Sequence, residues 1–254
     1  MRETDTPEYW DKKWAFRAHR RERVILDGSD GEEEFDRELL NRTAQKTVLD
    51  EGCGSGIFTL KIARRASHVK GIDTSTTALR LARRNLARNR LSNVDFHKGD
   101  ARYLPFPDNN FDTVYSRRGP GSDSIRTLAE AFRVLKENGI FMEITIGERD
   151  KQNLARIFGR GQMLHVKVQV STKKKEMMRS AGFSRVVTRD YLATEVFRGM
   201  PDLSVRLHSA PIIPSFDPRR DRLFLDRVRK ECMTSRGIET PVHRVVLTGR
   251  KSDT

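Results

Sequence analysis

Val48-Leu49-Asp50-Glu51-Gly52-Cys53-Gly54-Ser55-Gly56 is a short apolar run that closes on an acid and opens into three glycines spaced two apart. The pattern predicts a strand turning into a loop that wraps a ligand, because glycine serves where backbone must approach a ligand closely or take positive φ. Ile57, Leu60, Ile62 and Ala63 follow at helical spacing, so a helix starts there with its N-terminus toward the ligand. The spacing is G-x-G-x-G, whereas dinucleotide-binding turns use G-x-G-x-x-G. That weighs against a nicotinamide cofactor.

Working outward, Val69 to Asp73 reads as a second strand ending in Gly71-Ile72-Asp73. A carboxylate at Asp73 can accept both hydroxyls of a ribose, and it can equally cap the helix entered through Thr74-Ser75. Val94 to His97 forms a third strand, followed by Gly99-Asp100-Ala101 and a turn-rich run from Leu104 to Asn110 in which Phe106 either packs beneath a base or anchors the loop. Phe111 to Ser116 is the fourth strand, and it runs into Arg117-Arg118-Gly119-Pro120-Gly121-Ser122. Ligands bind at the carboxyl ends of strands in such sheets, so two arginines there can grip a phosphate or carboxylate or form a surface turn. A helix from Ile125 to Lys136 stops at Asn138-Gly139, and Ile140 to Ile146 is strand five.

In this order and at this spacing, residues 45–147 resemble the class I (Rossmann-like) S-adenosylmethionine-dependent methyltransferases, in particular the ubiquinone/menaquinone branch known as methyltransferase type 11. Val134-Leu135-Lys136-Glu137-Asn138-Gly139 fits that family's V-L-K-x-x-G before strand five. The resemblance implies an α/β fold: a seven-stranded, mostly parallel sheet with helices on both faces, an antiparallel last strand and a helical insertion before it. It implies S-adenosylmethionine as cofactor, held by Asp50, Gly52, Gly54, Gly56, Asp73, Asp100, Ala101 and Ser116, with Asp73 on the ribose and Asp100 on the adenine amino group. Arg117 and Arg118 are the substrate candidates, and no metal is implied.

At 254 residues the chain is expected to form a single domain around one core. Its expected parts are an N-terminal helical lid (1–44), the cofactor core (45–147) and a basic C-terminal half (148–254) with an insertion at 198–240. No apolar run reaches the roughly 18 residues of a membrane span, and the first five residues are not a signal peptide, so a cytoplasmic location is expected. Two cysteines argue against a disulfide framework or a cysteine-based metal site. Basic against acidic residues number 10 to 14 over 1–60, 10 to 3 over 61–100, 7 to 8 over 101–150 and 22 to 10 over 151–254. The excess beyond the core points to an anionic partner, RNA first, or to an arginine-rich solvated surface.

Tyr9, Trp10, Trp14 and Phe16 alternate with Lys12, Lys13, Arg17, Arg20, Arg21 and Arg23, a pattern that serves either as a lid over the pocket or as a packed helix. The helix from Thr77 to Arg90 sets Leu79, Ala82 and Leu86 opposite Arg80, Arg84 and Arg88. Past residue 150, strand six spans Ser184 to about Val196, helices fall near 202–208 and 219–233, and Val242 to Lys251 closes the sheet.

Methyl transfer from a sulfonium is an in-line displacement that needs a base only when the bound nucleophile is protonated. Tyr115, Glu143, Glu148 and His165 are the side chains that geometry must sort. The Asn/Asp-Pro-Pro-aromatic signature of adenine amino methylation is absent, and Ser116 stands near where a ribose 2′-O tetrad would place its Asp. Cytosine C5 methylation needs a thiolate, but Cys53 belongs to the glycine loop and Cys232 lacks a supporting context. The acceptor therefore stays open between structured RNA and a small molecule, quinones included, with Met177, Met178, Ile212 and Ile213 available to line an apolar pocket or a core. A non-catalytic relative that binds the cofactor or RNA is the remaining alternative.

Overall fold

The computed structural model describes residues 6–17 and 23–252. Arg20 and Arg21 of the aromatic-basic stretch, and the opening Met1 to Asp5, lie outside the described residues. In chain order the elements are α1 (Pro7–Arg17), β1 (Val24–Asp27), α2 (Glu32–Arg42), β2 (Thr47–Glu51), α3 (Ile57–Ala63), β3 (His68–Asp73), α4 (Thr76–Asn89), β4 (Val94–Lys98) and β5 (Phe111–Arg117). They continue with α5 (Ile125–Val134), β6 (Leu135–Ile146), α6 (Gln152–Phe158), α7 (Val170–Ser180), β7 (Ser184–Phe197), α8 (Met200–Ser209), α9 (Arg222–Cys232), β8 (Met233–Thr234) and β9 (Gly237–Arg250).

The single core expected from length gives way to two compact units. The larger comprises Glu32–Thr145, Val170–Arg189 and Val245–Thr254; the smaller comprises Met1–Gly31, Ile146–Gln169 and Asp190–Arg244. Helix α2, expected as part of a lid, belongs to the larger unit, while α1 belongs to the smaller. There Lys13 Nζ donates to the carbonyl of His208 at 2.7 Å, and Phe16 stacks on the His208 ring at 5.1 Å. Phe16 and Lys13 thus pack on α8.

The larger unit's strands follow the order β7-β9-β6-β5-β2-β3-β4, to which β7 and β9 contribute Ser184–Arg189 and Val245–Arg250. Strand β2 sits between β3 and β5 and is parallel to both, with Asp50 opposite Gly71 on one side and Tyr115 on the other. Parallel strands covered on both faces read as near-continuous apolar runs, and Val48, Leu49, Val69, Ile72 and Val114 are buried accordingly. The unit's core joins these strands to Leu128, Ala131 and Val134 of α5 and Met178 of α7. Phe106 meets Phe111 edge to face at 5.2 Å, so it anchors its loop in the core.

The sheet has nine strands where seven were expected. The additions are β1, which pairs antiparallel with β7 (Val24 opposite Phe197), and β8, a two-residue hairpin arm on β9. Both are too short to show a period of their own. Helix α5 ends at Val134 rather than Lys136, because Leu135 takes an extended conformation (ψ 139°), is fully buried and pairs with Phe111. In the smaller unit, Leu154, Ile157, Phe197, Leu203, Leu207, Ile212, Ile213 and Val228 form a separate core.

Candidate functional site

The glycine loop is built as its spacing demands. Gly52, Gly54 and Gly56 have φ of 75°, 55° and 72°, values that L side chains adopt only with strain. Space forbids side chains as well: a Cβ would sit 2.7 Å from Pro120 Cδ at Gly52 and 2.6 Å from Phe96 Cζ at Gly56. The amides of Gly52 and Cys53 donate to the Ile72 carbonyl at 2.8 and 3.1 Å, which moors the loop to the end of β3.

Asp73 completes that mooring. One carboxylate oxygen accepts from the Gly54 amide and the other from the Ser75 amide, both at 2.8 Å. Ser75 itself caps α4 by accepting from the Ala78 amide, so the capping role considered for Asp73 falls to its neighbour. Each carboxylate oxygen has two lone pairs, the acceptor chemistry that a pair of ribose hydroxyls needs. The acid is held rigid from both sides beside the loop.

Asp50 and Ser116, both expected among the cofactor contacts, are buried. Asp50 is buried and accepts from Thr59 Oγ1 and the Tyr115 hydroxyl, both at 2.6 Å. Burial, opposed by those two hydrogen bonds, pushes its pKa up from 3.8 to about 6. Ser116 donates to the Glu51 carbonyl at 3.0 Å and accepts from the Gly121 amide at 3.2 Å, tying the loop after β5 to β2. Tyr115 is fully buried, and burial, then Asp50, hold its hydroxyl far from ionising. Burial likewise raises the Cys53 thiol, which removes it as a nucleophile.

The arginine pair divides. Arg117 donates from Nε to Asp36 at 3.0 Å and from Nη2 to Glu32 at 2.6 Å, and its guanidinium lies over the Phe58 ring. Burial works against its charge, and Glu32 and Asp36 more than restore it. A guanidinium engaged by two carboxylates is a strut, so the phosphate grip expected of Arg117 is not what the structure builds. Arg118, with φ 59°, is 3.2 Å from Glu32 and more exposed.

Asp100 sits on the loop after β4, where Arg102 Nε and Nη2 fork onto its carboxylate at 3.0 and 2.6 Å and hold its pKa below the usual carboxylate range. Ala101 beside it is buried. Asp100→Asn exchanges one acceptor oxygen for a donor. It is expected to weaken an adenosyl ligand about tenfold while leaving a purine analogue without the amino group within twofold, as read by paired calorimetric titrations.

Of the base candidates, Tyr115 and Glu143 belong to the larger unit and Glu148 and His165 to the smaller. His165 is exposed on a loop, and Glu148 lies 3.7 Å from His243. His243 escaped the sequence reading; its Nδ1 accepts from the Arg149 amide at 3.2 Å and its Nε2 faces Asp190 at 2.9 Å. Met178, Ile212 and Ile213 are core residues of their units and Met177 packs against one. No helix among the described residues is long and apolar enough to cross a membrane.

The donor set fits S-adenosylmethionine: a glycine loop whose first and third glycines, Gly52 and Gly56, admit no Cβ, an acid held by two amides and a second acid one strand over. Comparison with known proteins agrees. Demethylmenaquinone methyltransferase of Listeria monocytogenes is 37% identical over 97 residues, covering 36% of this chain and 41% of that protein. The 23S rRNA (uracil(1939)-C(5))-methyltransferase RlmD of Methylococcus capsulatus is 44% identical over 63 residues, covering 25% of this chain and 14% of that one. The chain thus spans less than half the length of these curated relatives. The crystal structure of YcgJ from Bacillus subtilis superposes with a TM-score of 0.66 at 18% identity, covering 87% of this chain and 100% of that one, a likeness of fold. A family model described as a methyltransferase domain matches residues 42–185, more than half of the sequence. The chain therefore belongs to the class I, Rossmann-like family of S-adenosylmethionine-dependent methyltransferases.

Proposed function

We propose that this chain transfers the methyl group of S-adenosylmethionine to an acceptor that carries phosphate, structured RNA in the first instance, in the cytoplasm. The observation that carries methyl transfer is the Asp73 carboxylate, gripped by the Gly54 and Ser75 amides beside a glycine loop that is not of the dinucleotide type. Bound there, the cofactor supplies an electrophilic methyl group. The chain's own residues hold it: Asp73 orients the ribose, Asp100 reads the adenine, and the loop backbone fixes the intervening chain. Displacement at a sulfonium asks chiefly for alignment in a site that excludes water.

The RNA reading rests on charge. With Arg117 engaged by Glu32 and Asp36, its support comes from exposed cations elsewhere, Arg80, Arg84 and Arg88 on α4 and Arg222, Arg229 and Lys230 on α9. Several basic residues of the C-terminal half are spent internally, as in Arg160–Asp221, Arg206–Glu195 and Arg244–Asp150. Phosphate binding releases counterions, so RNA retention should fall steeply with salt, with a log-log slope of about −0.7 per contact on single strands. Replacing Arg80, Arg84 and Arg88 together by Ala should flatten that slope by about 2 and leave cofactor affinity unchanged.

The small-molecule reading, a quinone included, draws on the likeness to a demethylmenaquinone methyltransferase. A methylation assay with labelled cofactor over RNA and metabolite fractions separates the two. Label in RNA supports the proposal; label in a small molecule with a flat salt titration replaces it. Cofactor binding with no label transferred to any fraction supports the non-catalytic alternative.

A further inference from the structure

Glu51 is the last residue of β2 and Glu143 stands in the second half of β6, on either side of Ser116 near the end of β5. Ser116 pairs with Glu143 across the sheet and donates to the Glu51 carbonyl. Both glutamates are 0% exposed. Among the described residues neither oxygen of the Glu51 carboxyl has a hydrogen-bond partner, and Glu143 Oε1 also lacks one. Glu143 Oε2 is served by the Ser122 amide and hydroxyl, and Lys174 Nζ lies 2.6 Å from Ser122 Oγ and 3.6 Å from Glu143 Oε1. The loop after β5 closes over the pair. A Cβ at Gly121 would sit 2.9 Å from Glu143 Cδ, and one at Gly119 would sit 2.7 Å from Ser116 Oγ.

The charge count is uneven: two sealed carboxyls share one ammonium, and that ammonium is beside Glu143. A buried carboxylate with neither hydrogen bonds nor a counter-ion is costly, and such a group keeps its proton instead. The groups acting on Glu51 all push the same way. Burial comes first, then Glu143 on β6, Asp50 on its own strand and Glu130 on α5, and together they raise its pKa well above the usual range. Glu51 is also the residue immediately before Gly52, the first glycine of the cofactor loop.

We propose that Glu51 is a neutral carboxylic acid that releases its proton to solvent when a cationic ligand docks on the glycine loop, so that the site takes the sulfonium donor in preference to its thioether product. The inference rests on the cofactor reading above. A positive charge nearby stabilises the carboxylate, and by linkage the ionised carboxylate raises the affinity of the cation by the same factor. S-adenosylhomocysteine carries the same amino and carboxyl groups as the donor and lacks only the methyl group and its positive charge. The difference between the two ligands therefore isolates the sulfonium.

The test is calorimetry of both ligands on the wild-type chain, in buffers of different ionisation heat and across a pH series. S-adenosylmethionine should release up to about one proton per site, its affinity rising up to about tenfold per pH unit while Glu51 titrates. S-adenosylhomocysteine should release none and stay flat. Glu51→Gln matches the neutral acid in shape and charge. It should abolish the release and shrink the preference for the sulfonium about tenfold. If Glu51→Gln fails to fold, difference infrared spectroscopy of Asp50→Asn replaces it, and the carbonyl band of a neutral acid should vanish on donor binding and persist with the thioether. Equal proton release by both ligands, or none by either, overturns the inference and leaves the cofactor reading standing. Failure of both ligands to bind the wild type overturns the two together.

Discussion

Asp73→Ala is expected to lower the affinity for S-adenosylmethionine about a hundredfold or more. The carboxylate is held between the Gly54 and Ser75 amides, so it is ordered before any ligand arrives and little entropy is spent in positioning it. Removing it deletes two charge-assisted acceptors for the ribose, each worth about 1.5–3 kcal/mol, and releases the Gly54 amide that fixes the middle of the glycine loop. At about 1.4 kcal/mol per decade, the hydrogen bonds alone account for two decades. Asp73→Asn keeps one acceptor oxygen and should fall between wild type and Asp73→Ala. Calorimetric titration reads the effect, and an unchanged affinity in Asp73→Ala would remove the ribose assignment.

Asp50→Asn is expected to change how stability depends on pH. Burial raises the Asp50 pKa from 3.8 to about 6, so between those values the folded chain binds more protons than the unfolded chain. Stability from this group is therefore greatest at low pH, falls as pH rises through that window and levels off above it. Roughly two pKa units correspond to about 3 kcal/mol of lost stability. Asparagine is neutral throughout, and its amide oxygen can still accept from Thr59 and Tyr115. The stability of the variant relative to wild type should thus rise by about 2–3 kcal/mol between about pH 4 and about pH 8, measured by urea unfolding at intervals. A difference that does not vary with pH would show that Asp50 is not a buried, proton-holding acid.

The parts of this molecule legible in its sequence are those where one residue type answers one local demand. Gly52 and Gly56 need positive φ and have no room for a Cβ, and the runs flanking them are apolar because β2 and β3 are covered on both faces. What stayed hidden depends on distant partners. Arg117 reads as a free cation at a strand end until Glu32 and Asp36 come to it from 85 and 81 residues upstream. Nothing local announces that Thr59 and Tyr115 both donate to Asp50. Lys174 reaches Ser122 across 52 residues, and no periodicity announces such a meeting. Strands β1 and β8 were missed because four and two residues carry no alternation to read. The division into two units escaped because each is assembled from three separate stretches of chain.

Titration of the wild-type chain with S-adenosylmethionine and, separately, with NAD tests the central claim most directly. The geometry of the glycine loop and Asp73 predicts saturable, one-to-one binding of S-adenosylmethionine that Asp73→Ala weakens, and no heat above dilution from NAD. Saturable binding of NAD, or none of S-adenosylmethionine, would contradict it.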